Sequence, residues 1–416
     1  MALGEIGVYF SLFIGLYFEV FLLMSFLEKR PAQKTSQPPA QYPCVSMLVP
    51  CWNEEGTIVH TLSSLLALDY PKDKLEIVII NDGSTDRTHA VVQEYLAGLP
   101  APERECFTLL HKENGGKWTA LNMGIEHSRG ELIGCLDADS FVAQDGLLEM
   151  VKKFESDTSI MAITPAMKVY HPKKLLELMQ SVEYTFGIFY KKMFDNLAAL
   201  NVLPGPFSMY RRNVFATIGL FKHAHNTEDM EIAFRMHSRG LKIVNAHTAF
   251  VYTTVPSTLR ALIKQRTRWS QGFLQNSRDY SYMYLNPRFG NFGMLVLPFG
   301  LTAFFAGLYT ALYVFFRLIY SVVGRVLDMR ATRIPLHFPG SWHLEWFYLN
   351  TSMLTFLVVA TLLLALVGIV LGQRIAQTRL SAMSFVSYFA LFGFVAPVWL
   401  ARALWGAVRS KESRWR

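Results

Sequence analysis

Two carboxylates at the end of a predicted strand have the residue types and the spacing that could do chemistry. Asp137 and Asp139 follow the apolar run ELIGCL, whose side chains we expect to be buried. Charges brought together at such a place need a compensating cation. Carboxylates of this kind suit Mg²⁺ or Mn²⁺, which usually bridge a few of them to substrate phosphates. An Asp-x-Asp pair alone also occurs in ordinary loops. The prediction of a metal site therefore depends on the position of this pair at the end of a buried strand.

Two further stretches suit a nucleotide or another anion. In NDGSTD (81–86), Asp82 ends a strand and could accept a hydrogen bond from a base or ribose, although a simple turn explains the stretch equally well. In NGGK (114–117), the glycines let the backbone approach an anion and Lys117 adds a positive charge. The alternative for NGGK is a plain junction between a loop and a helix.

The third group of candidate residues lies in the second half of the domain. Glu228 and Asp229 open the helical pattern MEIAFRMHSRG, where acidic residues often only complement the helix dipole. In KQRTRWSQGF (264–273), Gln265, Arg268 and Trp269 fall on one helix face. An arginine suits a diphosphate and an indole suits a sugar ring. A basic helix beside lipid accounts for Lys264 and Arg266.

These residues need elements that place them together. Short apolar runs at 45–50, 75–82, 107–111 and 131–139 read as buried parallel strands, and helical patterns at 54–68, 86–97 and 117–128 separate them. This alternation predicts an α/β domain with a doubly wound sheet. Ligands of such sheets bind beyond the carboxyl ends of the strands, where the acidic residues stand.

Long apolar segments indicate an integral membrane protein. Hydrophobic residues make up 51% of the chain and charged residues 17%, against about a quarter in typical soluble domains. Residues 7–27, 292–316, 346–372 and 380–401 are each long enough to cross a bilayer. Glu28, Lys29 and Arg30 follow the first segment, so the chain after it is expected in the cytoplasm. The net charge of +8 is explained by loops facing anionic lipid, without a nucleic-acid partner.

The organisation predicted from these patterns has four parts. They are an N-terminal transmembrane helix (1–30), a Pro/Gln-rich linker (31–43), a cytosolic domain with interfacial helices (44–280), and a C-terminal membrane region with about three apolar segments (281–416). The helical pattern at 174–197 fits either an amphipathic helix at the membrane interface or an ordinary packed helix. Three C-terminal crossings would place the tail outside, whereas its Lys and Arg residues favour the inside.

The motifs together resemble a known family. VPCWNEE, NDGSTD, NGGK, DADS, GPFSMYRR (205–212), TED and QRTRW occur within residues 49–272. Their order is that of the membrane-integrated inverting glycosyltransferases of family 2, the group of hyaluronan, chitin, cellulose and poly-N-acetylglucosamine synthases.

The resemblance implies a GT-A (Rossmann-like) fold, a UDP-sugar donor and a divalent metal, Mg²⁺ or Mn²⁺. It implies that Asp229 is the general base, with Glu228 beside it. Asp137 and Asp139 would bind the metal, and Asp137 also the nucleotide. The remaining substrate-binding residues would be Asp82, Glu54, Lys117, Gln265, Arg268, Trp269, Gly205 and Pro206.

We therefore expect a multi-pass enzyme of the plasma membrane, with a cytoplasmic catalytic domain, that extends a β-linked polysaccharide. In overall size and in the tail SRWR the chain resembles the poly-N-acetylglucosamine synthases of this family, and that resemblance implies a UDP-GlcNAc donor. The alternative enzyme adds one sugar to a glycolipid acceptor such as ceramide or polyprenyl phosphate. A third alternative is a non-catalytic membrane scaffold. Membrane lipid surrounds the apolar segments in each case, and an auxiliary membrane subunit is compatible with all three.

Overall fold

A computed structural model of the chain describes residues 3–28, 39, 41–332 and 352–409. The strands are β1 (Val45–Cys51), β2 (Leu75–Asp82), β3 (Phe107–Lys112), β4 (Leu132–Cys135), β5 (Ser140–Val142), β6 (Ile160–Val169), β7 (Ser208–Arg211) and β8 (Lys242–Thr253). The helices of the domain are α2 (Ile58–Leu66), α3 (Thr88–Ala97), α4 (Ala101–Arg104), α5 (Lys117–His127), α6 (Gly146–Glu155), α7 (Leu175–Asn196), α8 (Asn213–Ile218), α9 (Glu228–Ser238) and α10 (Leu259–Asp279). The long apolar helices are α1 (Leu3–Glu28), α11 (Leu297–Thr332), α12 (Met353–Ala376) and α13 (Ala382–Val408). The predicted linker at 31–43 lies mostly outside the described residues.

The domain is built on one mixed eight-stranded sheet in the order β3-β2-β1-β4-β7-β6-β8-β5. The four strands predicted from apolar runs are confirmed, and they pair in parallel. The fourth ends at Cys135, earlier than its apolar run suggested, because the chain turns away from the sheet to form the loop that carries Asp137 and Asp139. In the other half of the sheet, β7 runs antiparallel to both β4 and β6.

Helices cover both faces of the sheet, as the α/β prediction requires. Alternate side chains of a strand point to opposite faces. Accordingly, Met47 and Ile79 belong to one buried cluster together with α2 and α6. Leu48 and Ile80 belong to another, together with α5 and α9. Strands β1, β2 and β4 are therefore buried, which explains their continuous apolar runs. The prediction that β3 is buried is wrong, because β3 lies at the edge of the sheet and its side chains are only partly covered.

Four helices in the described part of the chain are long and apolar enough to cross a membrane. They are Gly4–Glu28, Phe292–Thr332, Met353–Ala376 and Ala382–Val408. Their number and order agree with the apolar segments found in the sequence. The side of the membrane on which the tail lies stays a prediction, and residues 410–416 of the tail are outside the described ranges.

Helix α7 joins the sheet domain to the long apolar helices. Phe189 and Met193 pack against Phe18 and Leu22 of α1. A Cβ atom on Gly372 of α12 would collide with the backbone of α7, so the two helices lie in close contact. The helix predicted at 174–197 is thus present and packed against the long apolar helices, and its location at the membrane interface stays a prediction. Through it, the membrane region and the domain share one continuous set of contacts.

Candidate functional site

A cavity of about 680 Å³ opens beyond the carboxyl ends of β1 and β4, between the sheet and helices α7 and α10. All of the predicted site residues except Asp82 line it. These residues are Glu54, Lys117, Asp137, Asp139, Gly205, Pro206, Glu228, Asp229, Gln265, Arg268 and Trp269. Residues from both halves of the domain therefore line one cavity, and Asp137 and Asp139 lie beyond a strand end, where ligands of such sheets bind.

Lys117 connects two of the acidic groups of the cavity. Its ammonium nitrogen lies 2.5 Å from a carboxylate oxygen of Asp137 and 3.5 Å from one of Glu228. Burial by itself lowers the pKa of Lys117, but the neighbouring carboxylates outweigh it and raise that pKa above its ordinary value. Lys117 therefore stays protonated and holds the loop after β4 against the start of α9.

Gly205 provides the space for that ion pair. A Cβ atom at this position would collide with the ammonium of Lys117 and would lie 2.7 Å from one oxygen of Asp137. Any larger residue would push the ion pair apart. The glycine in GPFSMYRR is thus required by a close approach of the chain to charged side chains.

Asp82 lies apart from the cavity lining and has protein partners of its own. Its carboxylate accepts hydrogen bonds from the Lys112 ammonium at 2.6 Å and from the backbone N–H groups of Gly115 and Gly116 at 3.1 and 2.9 Å. These contacts fix the NGGK loop immediately before Lys117. The structure gives Asp82 a positioning role, and its binding of uridine stays a prediction.

Asp229 stands at the start of α9, deep in the cavity. One of its oxygens accepts a hydrogen bond from the backbone N–H of Met230 at 2.9 Å. Desolvation and the negative charge of Glu228 raise the pKa of Asp229 to about 6, against the opposing charges of Lys117 and Arg268. A carboxylate with such a pKa is ionised at neutral pH and is a stronger base than an ordinary aspartate.

One face of α10 presents the predicted ligand-holding residues to the cavity. The guanidinium of Arg268 donates a hydrogen bond of 2.7 Å to the backbone carbonyl of Asn226, just ahead of the Glu228-Asp229 pair. The side-chain oxygen of Gln265 is buried and has no hydrogen-bond partner within the described residues. A buried amide oxygen of this kind suits a ligand donor.

The interpretation of Arg266 as a lipid-facing cation is wrong. Arg266 is buried and donates a 3.0 Å hydrogen bond to the carboxylate of Glu183 on α7. Its guanidinium also lies 4.2 Å from the ring centroid of Trp269. Periodicity placed Arg266 off the ligand face, but it could not reveal that another helix covers it. Lys264, by contrast, is exposed at the rim of the cavity.

The close approach of α10 to the start of α9 depends on Gly272. A Cβ atom there would collide with the side chain of Thr227. Asn276, one turn further along α10, donates a 2.9 Å hydrogen bond to the Thr227 hydroxyl. The glycine that follows Trp269 by three residues thus serves helix packing beside the site.

The two carboxylates predicted to hold a metal both line the cavity. Asp137 is paired with Lys117, and an oxygen of Asp139 accepts a 3.1 Å hydrogen bond from the Ser140 hydroxyl. Across the described ranges, no group of three or more His, Cys, Asp or Glu side chains could hold a metal ion by itself. Two carboxylates nevertheless fit Mg²⁺ or Mn²⁺, because such ions take their other ligands from water and substrate phosphates.

Several lining residues were missed by sequence reasoning. Five of them belong to α7, whose Glu183, Tyr184, Gly187, Ile188 and Lys191 face the cavity. The available signal was the helical spacing of these residues opposite the apolar stripe of the same helix. The spacing alone did not show that the face of α7 opposite its apolar stripe would line the cavity.

Comparison with known proteins provides independent information. Residues 46–219 match the model of glycosyl transferase family 2. A poly-beta-1,6-N-acetyl-D-glucosamine synthase of Staphylococcus aureus (strain MSSA476) is 35% identical over 230 residues, which cover 55% of this chain and 54% of that protein. The enzyme of the same name from Staphylococcus epidermidis is 30% identical over 271 residues, or 64% of each chain. The matches thus span about half to less than two thirds of these relatives.

A solved structure agrees over almost the whole chain. The mannosyltransferase PcManGT from Pyrobaculum calidifontis, in complex with GDP-Man and Mn²⁺, superposes with a TM-score of 0.67 and covers 99% of both chains. Its sequence identity to this chain is 19%. This likeness, with the family match, confirms the predicted GT-A fold with flanking membrane helices.

Proposed function

We propose that this chain, whose residues 46–219 match the model of glycosyl transferase family 2, is a membrane-bound inverting hexosyltransferase of that family. It transfers a sugar from a UDP-sugar to a growing β-linked polysaccharide. The observation that carries the proposal is the cavity, because it brings the basic carboxylate of Asp229 together with Lys117, Asp137 and Arg268. A direct displacement needs both a base for the acceptor and cations for the departing diphosphate.

The chemistry follows from these positions. The acceptor hydroxyl oxygen forms a bond to the anomeric carbon of the donor sugar while the bond from that carbon to the diphosphate oxygen breaks. The proton of the hydroxyl passes to Asp229, and the electron pair of the broken bond leaves with UDP. Attack opposite to the leaving group inverts the anomeric centre, so no covalent enzyme intermediate is required.

The cations of the site stabilise the leaving diphosphate. Arg268 offers a fork of N–H donors that suits phosphate oxygens. Lys117 contributes a fixed positive charge beside Asp137. Asp139 and Asp137 would hold Mg²⁺ or Mn²⁺, and when bound the ion would neutralise charge that develops on the diphosphate.

The donor is proposed to be UDP-GlcNAc. The support is the identity of 35% over 230 residues to a poly-beta-1,6-N-acetyl-D-glucosamine synthase. The domain is proposed to lie on the cytoplasmic face of the plasma membrane, where nucleotide sugars are available. The positive residues after the first apolar helix support this orientation. The domain limits proposed are those of the sequence prediction, with the catalytic part at residues 44–280.

Transfer of one sugar to a lipid acceptor is the competing proposal, because the cavity adjoins helices able to lie in lipid. The test uses the purified full chain in liposomes with labelled UDP-GlcNAc, other UDP-sugars and GDP-mannose, each with Mg²⁺ or Mn²⁺. Label in polymer supports the polysaccharide proposal, and label only in solvent-extractable glycolipid supports the competing one. Absence of transfer from every donor, equal to that of Asp229→Asn, would refute both.

A further inference from the structure

One wall of the cavity is formed by α7, a helix that carries none of the predicted site residues. Tyr184, Gly187, Ile188 and Lys191 stand at i, i+3, i+4 and i+7, and all four line the cavity. The opposite side of this helix is fixed, because Phe189 packs on α1 in a buried cluster. The wall is therefore a rigid surface that faces the catalytic carboxylates.

The middle of this wall is open. A Cβ atom at Gly187 would meet no heavy atom within 4 Å. Glycine destabilises a helix interior, so its presence here does not serve the helix itself. It leaves free space beside the ring of Tyr184, which in turn lies against the buried guanidinium of Arg266.

Lys191 ends the wall with a positive charge that lacks an acidic partner at contact distance. Its ammonium nitrogen lies 3.4 Å from the Thr164 hydroxyl and 3.8 Å from the Met167 sulfur, both weak partners. Within the described ranges, no ion pair joins it to a carboxylate. Desolvation lowers the pKa of Lys191 to about 8, against the opposing charge of Asp229. A buried ammonium with few hydrogen-bond acceptors around it is stabilised when the oxygen atoms of a ligand accept its hydrogen bonds.

We propose that this wall of α7 is the acceptor subsite. The terminal sugar of a saccharide acceptor occupies the space beside Gly187, against the ring of Tyr184, and Lys191 donates a hydrogen bond to one of its oxygens. An aromatic ring at one end of the open space and a hydrogen-bond donor at the other suit a neutral, hydroxyl-rich sugar ring, which has apolar C–H faces and polar edges. The inference rests on the proposed function, since it places the acceptor hydroxyl on the side of Asp229.

The test measures binding rather than turnover. The purified full chain in detergent is titrated with a β-linked N-acetylglucosamine oligosaccharide in the presence of UDP and Mg²⁺, and separately with UDP alone. We expect Lys191→Met to weaken oligosaccharide binding by roughly tenfold or more, the effect of a lost charged hydrogen bond. Gly187→Leu should weaken it to a similar extent, because the leucine side chain fills the space of the sugar ring. Lys191→Arg should restore most of it, and UDP binding should be unchanged in all three variants.

The matched control is Gly15→Leu on α1, where a Cβ atom also meets nothing within 4 Å but no cavity is lined. Oligosaccharide affinity that is unchanged in both Gly187→Leu and Lys191→Met overturns the subsite, as does an equal loss of UDP binding. A wild type that binds the oligosaccharide but transfers no sugar from any donor overturns the proposed function instead. Transfer by a wild type whose acceptor affinity is insensitive to these variants overturns the subsite alone.

Discussion

The ammonium of Lys117 and the carboxylate of Asp137 form a 2.5 Å ion pair at the centre of the cavity. The pair joins the first residue of α5 to the loop that follows β4. Lys117 also reaches Glu228 at 3.5 Å, so one cation links the loop that carries the proposed metal ligands to the segment of the proposed general base. Substitutions near Lys117 should therefore displace both Asp137 and the segment that carries Glu228 and Asp229.

Gly205→Ala should reduce sugar transfer at least about tenfold, because its Cβ collides with Lys117 and misplaced catalytic groups lose rate steeply. The measurement is kcat/KM for UDP-GlcNAc in liposomes. Gly56→Ala is the matched control, since a Cβ there meets nothing within 4 Å although Gly56 lies close to Glu54 in the chain. Equal activity of the two variants would show that the ion pair tolerates displacement.

Asp229→Asn should lower kcat by about 10²–10⁴, the usual contribution of a general base. The amide keeps the shape of the side chain but cannot take the proton of the acceptor. Binding of UDP, measured by calorimetry, should remain within a few fold. Glu94→Gln, at an exposed carboxylate of α3, serves as the control for loss of a negative charge. Activity of Asp229→Asn close to wild type would remove Asp229 from its proposed role.

The rate should fall as the pH drops below about 6, because Asp229 must be deprotonated to accept a proton. Below that value we expect roughly a tenfold decrease for each pH unit. The charged groups that face Asp229 are Glu228, Lys117, Arg268, Asp137 and Lys191.

Removing the like charge with Glu228→Gln should lower the pKa of Asp229 and move the acid limb of the pH–rate profile to lower pH. The profile of wild type and variant in the same buffer series provides the measurement. A shift to higher pH would mean that Glu228 does not raise the pKa of Asp229.

Arg266→Gln should destabilise the protein by about 3 kcal/mol, because it leaves the Glu183 carboxylate without its cation. The double variant Arg266→Gln/Glu183→Gln should recover part of this loss, since no charge is then left unpaired. Thermal unfolding in detergent measures both effects. Arg278→Gln on the same helix is the control, because its side chain is 61% exposed. A double variant less stable than the single one would argue against a compensated pair.

Removal of divalent metal with EDTA should abolish transfer, and Mg²⁺ or Mn²⁺ should restore it. The expected cause is loss of the charge held by Asp137 and Asp139 beside the diphosphate. UDP binding measured with and without metal gives a readout independent of turnover. In Asp139→Asn, the metal-dependent part of that affinity should be reduced. Full activity in EDTA would contradict the proposed cofactor.

Most of the site could be predicted from the sequence because its residues stand at the ends of recognisable strands and helices. The carboxyl ends of β1 and β4 meet at one edge of the sheet, so Glu54, Asp137 and Asp139 had to lie near one another. Helical spacing likewise placed Gln265, Arg268 and Trp269 on one face of α10. The local sequence pattern was sufficient wherever a single strand end or a single helix carried all members of a group of site residues.

The wall formed by α7 could not be predicted in the same way. Its spacing indicated an amphipathic helix, but the identity of the covering partner depends on how distant segments dock. Arg266 illustrates the same limit, since its partner Glu183 lies 83 residues earlier in the chain. The antiparallel placement of β7 between β4 and β6 is likewise a long-range pairing that short apolar runs do not encode.

The hydrogen bond from Arg268 to the carbonyl of Asn226 has a consequence for the order of events. Three successive residues before Thr227, from Ala224 to Asn226, have positive φ angles, a conformation that L-residues seldom adopt without support. Arg268 is also proposed to engage the diphosphate, so a bound nucleotide would act on a side chain that supports this segment. The binding of nucleotide and the position of Asp229 are then coupled. We therefore expect a sequential mechanism in which the donor binds first and UDP leaves last.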